Sequence, residues 1–134
     1  MRNTAVALFA LAGSLLIAPG PVAAHHSAAM FDETKRVEVK GTVVQWVWAN
    51  PHCLLQVEAR GEGGQTVRWV AETSNPLDMT NRGWRRGDFK PGDLVTVTLR
   101  PARGGQPLGN IVQVESANGR IWNMTNPPAA PARQ

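Results

Sequence analysis

The chain of 134 residues contains no tyrosine and a single cysteine, Cys53. One cysteine cannot form an internal disulfide, so the stability of the fold must come from its apolar core. The sequence also has no paired-cysteine metal motif, no Gly-x-Ser-x-Gly turn, no phosphate-binding loop and no His-Glu-x-x-His pattern. These absences argue against a cysteine-bound zinc site and against the common hydrolases. We therefore expect a protein that is not an enzyme.

No apolar run is long enough to span a membrane. The uncharged run Ala5–Ala18 has 14 residues, whereas a membrane-spanning helix needs about 20. The run follows Arg2 and precedes Val22-Ala23-Ala24, which places small residues where a signal peptidase cleaves. This pattern predicts a signal peptide over residues 1–24, cleaved after Ala24. Removing 24 of the 134 residues leaves a periplasmic or secreted chain of 110 residues with no integral membrane segment.

The charge balance is mildly basic. The formal net charge of +4 falls to +3 when Arg2 leaves with the signal peptide. Basic residues are densest between Arg82 and Lys90, a turn-rich stretch that we interpret as a solvated loop. Because an exported protein does not normally meet nucleic acid, we expect no nucleic-acid partner.

Apolar and polar residues alternate along most of the mature chain, which predicts β-strands. The alternation changes phase between Val43 and Val44, close to Gly41, as a bulge or bend in a long first strand would produce. Asn75–Met79 has the capping residue and early proline of a short helix. Five or six strands with one short helix predict an all-β fold, a small Greek-key barrel resembling the oligonucleotide/oligosaccharide-binding fold. A small two-sheet sandwich is the alternative.

The mature chain divides into three parts. Residues 25–36 show no clear period and predict an N-terminal arm. Residues 37–126 carry the strand pattern and predict one β-barrel domain. Residues 127–134 are proline- and alanine-rich without an apolar face, which predicts a disordered tail.

Several short motifs carry a resemblance to a known family. They are His25-His26-Ser27, Met30-Phe31-Asp32, Gly41-Thr42-Val43, Trp48-x-Asn50-Pro51-His52, Gly83-Trp84 and Pro91-Gly92-Asp93-x-Val95-x-Val97. With this ordered set the chain resembles a family of small exported bacterial proteins known only as a domain of unknown function. The resemblance runs from His25 to about Trp122 and implies a single exported β-rich domain that begins with a His-His pair. It implies no reaction and no catalytic residues.

The three histidines, His25, His26 and His52, are the candidate metal ligands. Cleavage after Ala24 makes His25 the first residue, so that its α-amine and ring Nδ1 can chelate one ion. The α-amine is a weaker base than a lysine amine and loses its proton to a metal more readily. His52 falls on the less apolar face of its strand, so we expect its ring to be accessible. A third nitrogen from His52 or His26 completes the T-shaped site called a histidine brace. Because amine and imidazole nitrogens suit copper, we expect an exported copper-binding protein, a carrier or buffer.

Other interpretations of these residues remain open. Cleavage after Ala23 would leave Ala24-His25-His26, an amino-terminal copper or nickel motif that needs no barrel residue. The His-His pair could equally be a solvated arm, and His52 a hydrogen-bonded turn residue. Sulfur ligands are a further possibility, but Cys53 is in phase with apolar strand residues, and the methionines are too scattered for a motif. We interpret these sulfur residues as core.

Trp84 supports an alternative function. Of the five tryptophans, most are expected in the core, but Trp84 follows Gly83 in a basic, turn-rich segment. There its ring could cap the barrel, or line a groove and stack on a bound ligand. The alternative is a non-enzymatic barrel that binds a small organic ligand, a sugar or a protein partner. An oxygen-activating histidine-brace enzyme is a minor possibility, since no substrate face is recognisable in the sequence.

Overall fold

The computed structural model describes residues 28–124. The predicted signal peptide, the first three residues of the predicted arm and the predicted disordered tail all lie outside the described residues. Within residues 28–124 the chain forms a 3₁₀ turn, one α-helix and six strands. In chain order they are the 3₁₀ turn Ala28–Met30, β1 (Val37–Val47), β2 (Leu54–Arg60), β3 (Thr66–Glu72), α1 (Pro76–Asn81), β4 (Leu94–Pro101), β5 (Leu108–Ser116) and β6 (Ile121–Asn123). No helix in this part of the chain is long and apolar enough to cross a membrane.

Five strands close into a barrel. They are hydrogen-bonded in the order β3-β2-β1-β4-β5, and all of these neighbours are antiparallel. A short parallel pairing between β3 and β5 closes the ring, from Val70↔Leu108 to Glu72↔Asn110. β6 is an extra strand that pairs with β5 at Gln113–Glu115, beyond the segment of β5 that pairs with β3. The all-β Greek-key barrel predicted from the sequence is confirmed, and the two-sheet sandwich is not the fold.

The first strand bends, and its two halves pair with different neighbouring strands. Its first half, from Val37 to Thr42, pairs with β4, and its second half, from Gly41 to Val47, pairs with β2. The pairing with β2 shifts register between Val43 and Gln45, which is the bulge that the phase change predicts. A Cβ on Gly41 would collide with the carbonyl oxygen of Glu58 on the neighbouring strand. Only glycine fits where the two halves meet.

The barrel interior is filled by the inward-facing residues of every strand. The fully buried side chains include Leu55, Val57, Val97, Leu99, Ile111 and Val114. Cys53 and Met79 are also buried and lie in the same cluster, as interpreted from the sequence, whereas Met30 is 38% exposed and is not a core residue. Burial raises the pKa of the Cys53 thiol, so the side chain stays protonated and unreactive near neutral pH.

The short helix sits between β3 and β4. Asn75 caps it, because its side-chain oxygen accepts the backbone N–H of Asp78 at 3.0 Å. Gly83 follows with φ +88°, a conformation that glycine adopts without strain, and turns the chain back on itself. The backbone N–H of Trp84 then donates to the carbonyl oxygen of Met79 at 3.0 Å. This turn places the Trp84 ring at the end of the barrel.

Trp84 is therefore a core residue. Its side chain is 1% exposed, and its ring lies 6.0–6.4 Å from the rings of Trp46, Phe89 and Trp122. Of the two positions that the sequence left open for Trp84, capping of the barrel agrees with this packing, and lining of an accessible groove does not. The turn-rich sequence around it indicated a surface loop, whereas α1 and the turn at Gly83 direct the ring inward. A ligand could stack on this ring only if the neighbouring aromatic side chains moved away.

Candidate functional site

His52 lies on the outside of the barrel, in the connection between β1 and β2. Its neighbour Cys53 points inward and is fixed by two backbone hydrogen bonds of 2.9 Å, from Cys53 to Ser74 and from Thr73 to Cys53. Because successive side chains of an extended chain point to opposite sides, His52 faces outward. Its side chain is 36% exposed. The ring is accessible, as the sequence predicts.

The imidazole of His52 is oriented by a carboxylate. Nδ1 lies 2.5 Å from Oε1 of Glu72, the last residue of β3, whose side chain is 14% exposed. In a neutral imidazole whose Nδ1–H donates to this carboxylate, Nε2 has no proton and carries a free lone pair. Histidines that bind metals in proteins are usually held in this way by a carboxylate on the other ring nitrogen. The pair thus presents one nitrogen ligand in a fixed orientation.

Glu72 begins a row of polar side chains across the strands that close the barrel. Strand register places Glu72 beside Asn110 on β5, and Asn110 beside Arg100 on β4. Asn110 donates from Nδ2 to the carbonyl oxygen of Glu72 at 3.3 Å and accepts from Nη1 of Arg100 at 3.2 Å. Arg100 Nε in turn lies 2.7 Å from Oε2 of Glu33, a residue of the arm. A continuous polar row therefore connects His52 with the arm.

The described part of the arm is docked on the barrel. Phe31 is 4% exposed and packs at the end of β4. The N–H of Asp32 donates to the carbonyl oxygen of Pro101 at 2.9 Å, and the N–H of Arg103 donates to that of Met30 at 3.0 Å. The arm is thus ordered at least from Met30 onward, rather than being a free extension of β1.

His52, the polar row and the arm line one cleft of about 370 Å³. Phe31 and Glu33 form one side of it, and Asp78 and Arg82 of the α1 region contribute to the rest of the lining. Arg82 Nε donates to Asp78 Oδ2 at 2.8 Å, and this contact holds the pKa of the Asp78 carboxyl below its usual value. The cleft is where the N-terminal arm reaches the barrel next to an accessible imidazole.

Each carboxylate that lines the cleft already has a partner. Glu33 pairs with Arg100, Asp78 pairs with Arg82, and Glu72 contacts His52. An ion that took oxygen ligands from these side chains would have to displace a cation or an imidazole. Among the described residues, the lining of this cleft therefore offers no unpaired carboxylate to an ion such as Ca²⁺ or Mg²⁺, which requires several free oxygens.

The structure places only one of the three candidate histidines. His25 and His26 lie outside the described residues. Among residues 28–124, no group of three or more histidine, cysteine, aspartate or glutamate side chains could hold a metal ion. Trp84, the candidate for ligand stacking, lies in the core and is not part of the lining of this cleft.

Four residues around His52 were not recognised from the sequence. They are Glu33, Glu72, Arg100 and Asn110, which are brought together from the arm and three strands. Three of them, Glu72, Arg100 and Asn110, alternate with apolar residues on their strands, so their outward orientation could be predicted from the sequence. Their contacts with one another could not be predicted, because these contacts depend on the register of the parallel pairing between β3 and β5.

Comparison with known protein families gives a match that carries no function. Residues 14–113 match a family described only as a family of unknown function (DUF6152). No curated protein and no solved structure is significantly similar to the chain. Function must therefore be inferred from the site itself.

Proposed function

The chain belongs to the DUF6152 family of unknown function, and we propose that after export and cleavage the protein binds copper(II). The ligands are the α-amine and ring of His25, with His52 as the nitrogen supplied by the barrel. His26 is the alternative third ligand. We propose a role as a copper carrier or buffer in the periplasm or outside the cell.

The observation that carries this proposal is the contact between His52 and Glu72 in the cleft beside the arm. A carboxylate on Nδ1 orients the ring and leaves Nε2 as the nitrogen that faces a metal ion. A single imidazole binds copper weakly, so further ligands are needed. Since His52 is the only histidine among residues 28–124, the nitrogen ligands still missing are those of His25 and His26.

The reach of the arm is compatible with a shared site. Phe31 lines the same cleft as His52. Phe31 lies six positions after His25, and an extended chain spans up to about 20 Å over six positions. The α-amine and ring of His25 then form a chelate on one ion, which costs less ordering entropy than two independent ligands. Copper is favoured because it leads the affinity order of the divalent ions for such nitrogen ligands.

We expect the protein recovered from the cell envelope to begin at His25. The apolar run and the Val-Ala-Ala sequence before His25 support cleavage at this bond. The mass of the intact protein identifies its first residue. Recovery of the uncleaved chain of 134 residues from the envelope would contradict this prediction. A chain that begins at Ala24 would instead favour the amino-terminal Ala24-His25-His26 motif.

The copper site is tested with the processed protein and a version that carries one extra residue before His25. The extra residue separates the free amine from the ring, and we expect copper(II) affinity to fall roughly 100-fold, about 2.7 kcal/mol. Replacing His52 with alanine should also weaken binding and change the electron paramagnetic resonance spectrum. Equal affinities and equal spectra for the processed and extended proteins would rule out the terminal chelate.

The carboxylate beside His52 provides a matched comparison. Glu72→Gln is expected to lower copper affinity by about 10-fold, because it weakens the contact that orients the ring. Glu58 is a suitable control: it lies on the outer face of β2 and pairs with Arg68 at 2.6 Å. Glu58→Gln should leave copper affinity unchanged. Equal losses for the two variants would mean that Glu72 has no specific role.

The alternative proposal is a barrel that binds a small organic ligand, a sugar or a protein partner without a metal. Tryptophan fluorescence of the processed protein, titrated with copper and with candidate sugars or other ligands, distinguishes the two. A response to an organic ligand that survives loss of all three histidines would favour the alternative.

A further inference from the structure

We propose that Glu33 and Arg100 are positioning residues that fasten the N-terminal arm over the His52 cleft, and so control whether the arm and the barrel can bind one metal ion together. This inference rests on the proposed copper site. It adds that assembly of the site depends on an ion pair that donates no ligand. The pair, with Asn110 and Glu72, is hereafter called the latch.

The geometry of Arg100 supports a positioning role. Its side chain is 21% exposed, and its guanidinium has partners on two sides, Asn110 Oδ1 at 3.2 Å and Glu33 Oε2 at 2.7 Å. The contact with Glu33 is an ion pair without the alignment of a hydrogen bond. The contact with Asn110 lies within the barrel and does not depend on the arm, so it can hold the guanidinium in place for Glu33.

The latch also reaches the metal-binding imidazole. Asn110 donates to the backbone of Glu72, and the carboxylate of Glu72 holds His52. Glu72, Asn110 and Arg100 lie side by side on β3, β5 and β4, which are hydrogen-bonded neighbours. The arm therefore docks against the same row that orients His52. Release of Glu33 would loosen the arm without removing any nitrogen ligand.

Charge reversal tests the ion pair directly. In Glu33→Lys two cations face each other, in Arg100→Glu two anions do, and the double reversal restores an opposite-charge pair. The first measurement needs no metal: hydrogen exchange of the Asp32 and Arg103 amides, both of which are bonded across the docked arm. We expect each single reversal to speed exchange of these amides about 10-fold, and the double reversal to restore most of the protection.

The second measurement is copper(II) affinity of the processed protein. We expect Glu33→Lys to weaken binding about 10-fold in the wild-type background but less than about 2-fold in a His52→Ala background, because the two residues act on the same assembled site. Glu58→Lys, which breaks an exposed ion pair on another face, should change neither measurement. Such coupling to His52 would not arise from a general loss of stability.

The outcomes distinguish a failure of the proposed arm positioning from a failure of the proposed copper site. If the wild-type protein binds no copper through His52 but arm exchange responds to charge reversal, the proposed function fails and the fastening of the arm stands. If copper binding depends on His52 while the single charge reversals leave both amide exchange and copper affinity unchanged, the proposal that Glu33 and Arg100 position the arm is wrong. Single reversals that act without rescue by the double reversal would also overturn it, because the effect would then not come from the pair.

Discussion

Replacement of Val97 with aspartate is expected to leave the protein unfolded. Val97 is 1% exposed and lies in the middle of β4, opposite Val39 on β1 and Val114 on β5. No cation lies among these buried neighbours to pair with a carboxylate. Burying an unpaired polar or charged group costs at least several kcal/mol, which is comparable with the total stability of about 5–15 kcal/mol of a small domain. Circular dichroism and thermal unfolding measure the loss.

Thr96→Asp is the control for this experiment. Thr96 is on the same strand but faces outward, where it is paired with Lys40 on β1 and Glu115 on β5. Water can solvate a carboxylate at this position, so the variant should keep the β-sheet spectrum and lose little stability. A Val97→Asp protein with the wild-type melting temperature would show that the alternating residues of β4 do not point into a closed barrel.

Trp84→Ala is expected to cost about 3–5 kcal/mol of unfolding free energy. The ring is 1% exposed and packs against three other aromatic rings. Its removal leaves a cavity at the end of the barrel that the rings of Trp46, Phe89 and Trp122 cannot fill without leaving their present packing. Denaturant unfolding, followed by circular dichroism, gives the change in stability.

Trp48→Ala is the matched comparison. The Trp48 ring is only half-buried and has one aromatic neighbour, Trp46, at 5.6 Å. Its removal should cost clearly less than removal of Trp84. A Trp84→Ala protein as stable as the wild type would contradict the buried position of Trp84 and favour an accessible ligand-binding residue.

The sequence was most informative where a single local pattern decides the structure. The alternation of Val95, Val97 and Leu99 with polar residues requires a half-buried strand, and the phase change after Gly41 requires an irregularity in β1. The short helix was readable because Asn75 can cap it and proline is tolerated in its first turn. Each of these inferences depends on residues within one turn or strand of each other.

The surroundings of His52 could not be predicted in this way. The outward phase of His52 was apparent, but Glu72 lies 20 positions further along the chain and Asn110 a further 38. These residues meet because β3 and β5 pair in parallel over only three positions, and no local signal specifies that register. The docking of Phe31 against the end of β4 is a long-range contact of the same kind.

Trp84 shows where local patterns mislead. Glycines and charged residues around it are typical of an exposed loop, yet the turn after α1 directs its ring into the barrel end. The sequence by itself therefore determined the all-β class, the strands, the bend in β1 and the helix cap, because backbone propensity and side-chain period act over a few residues. Only the tertiary structure decided which residues surround His52, where the arm docks and which tryptophan is most deeply buried. Those outcomes depend on closing the barrel, which brings together segments that no local interaction connects.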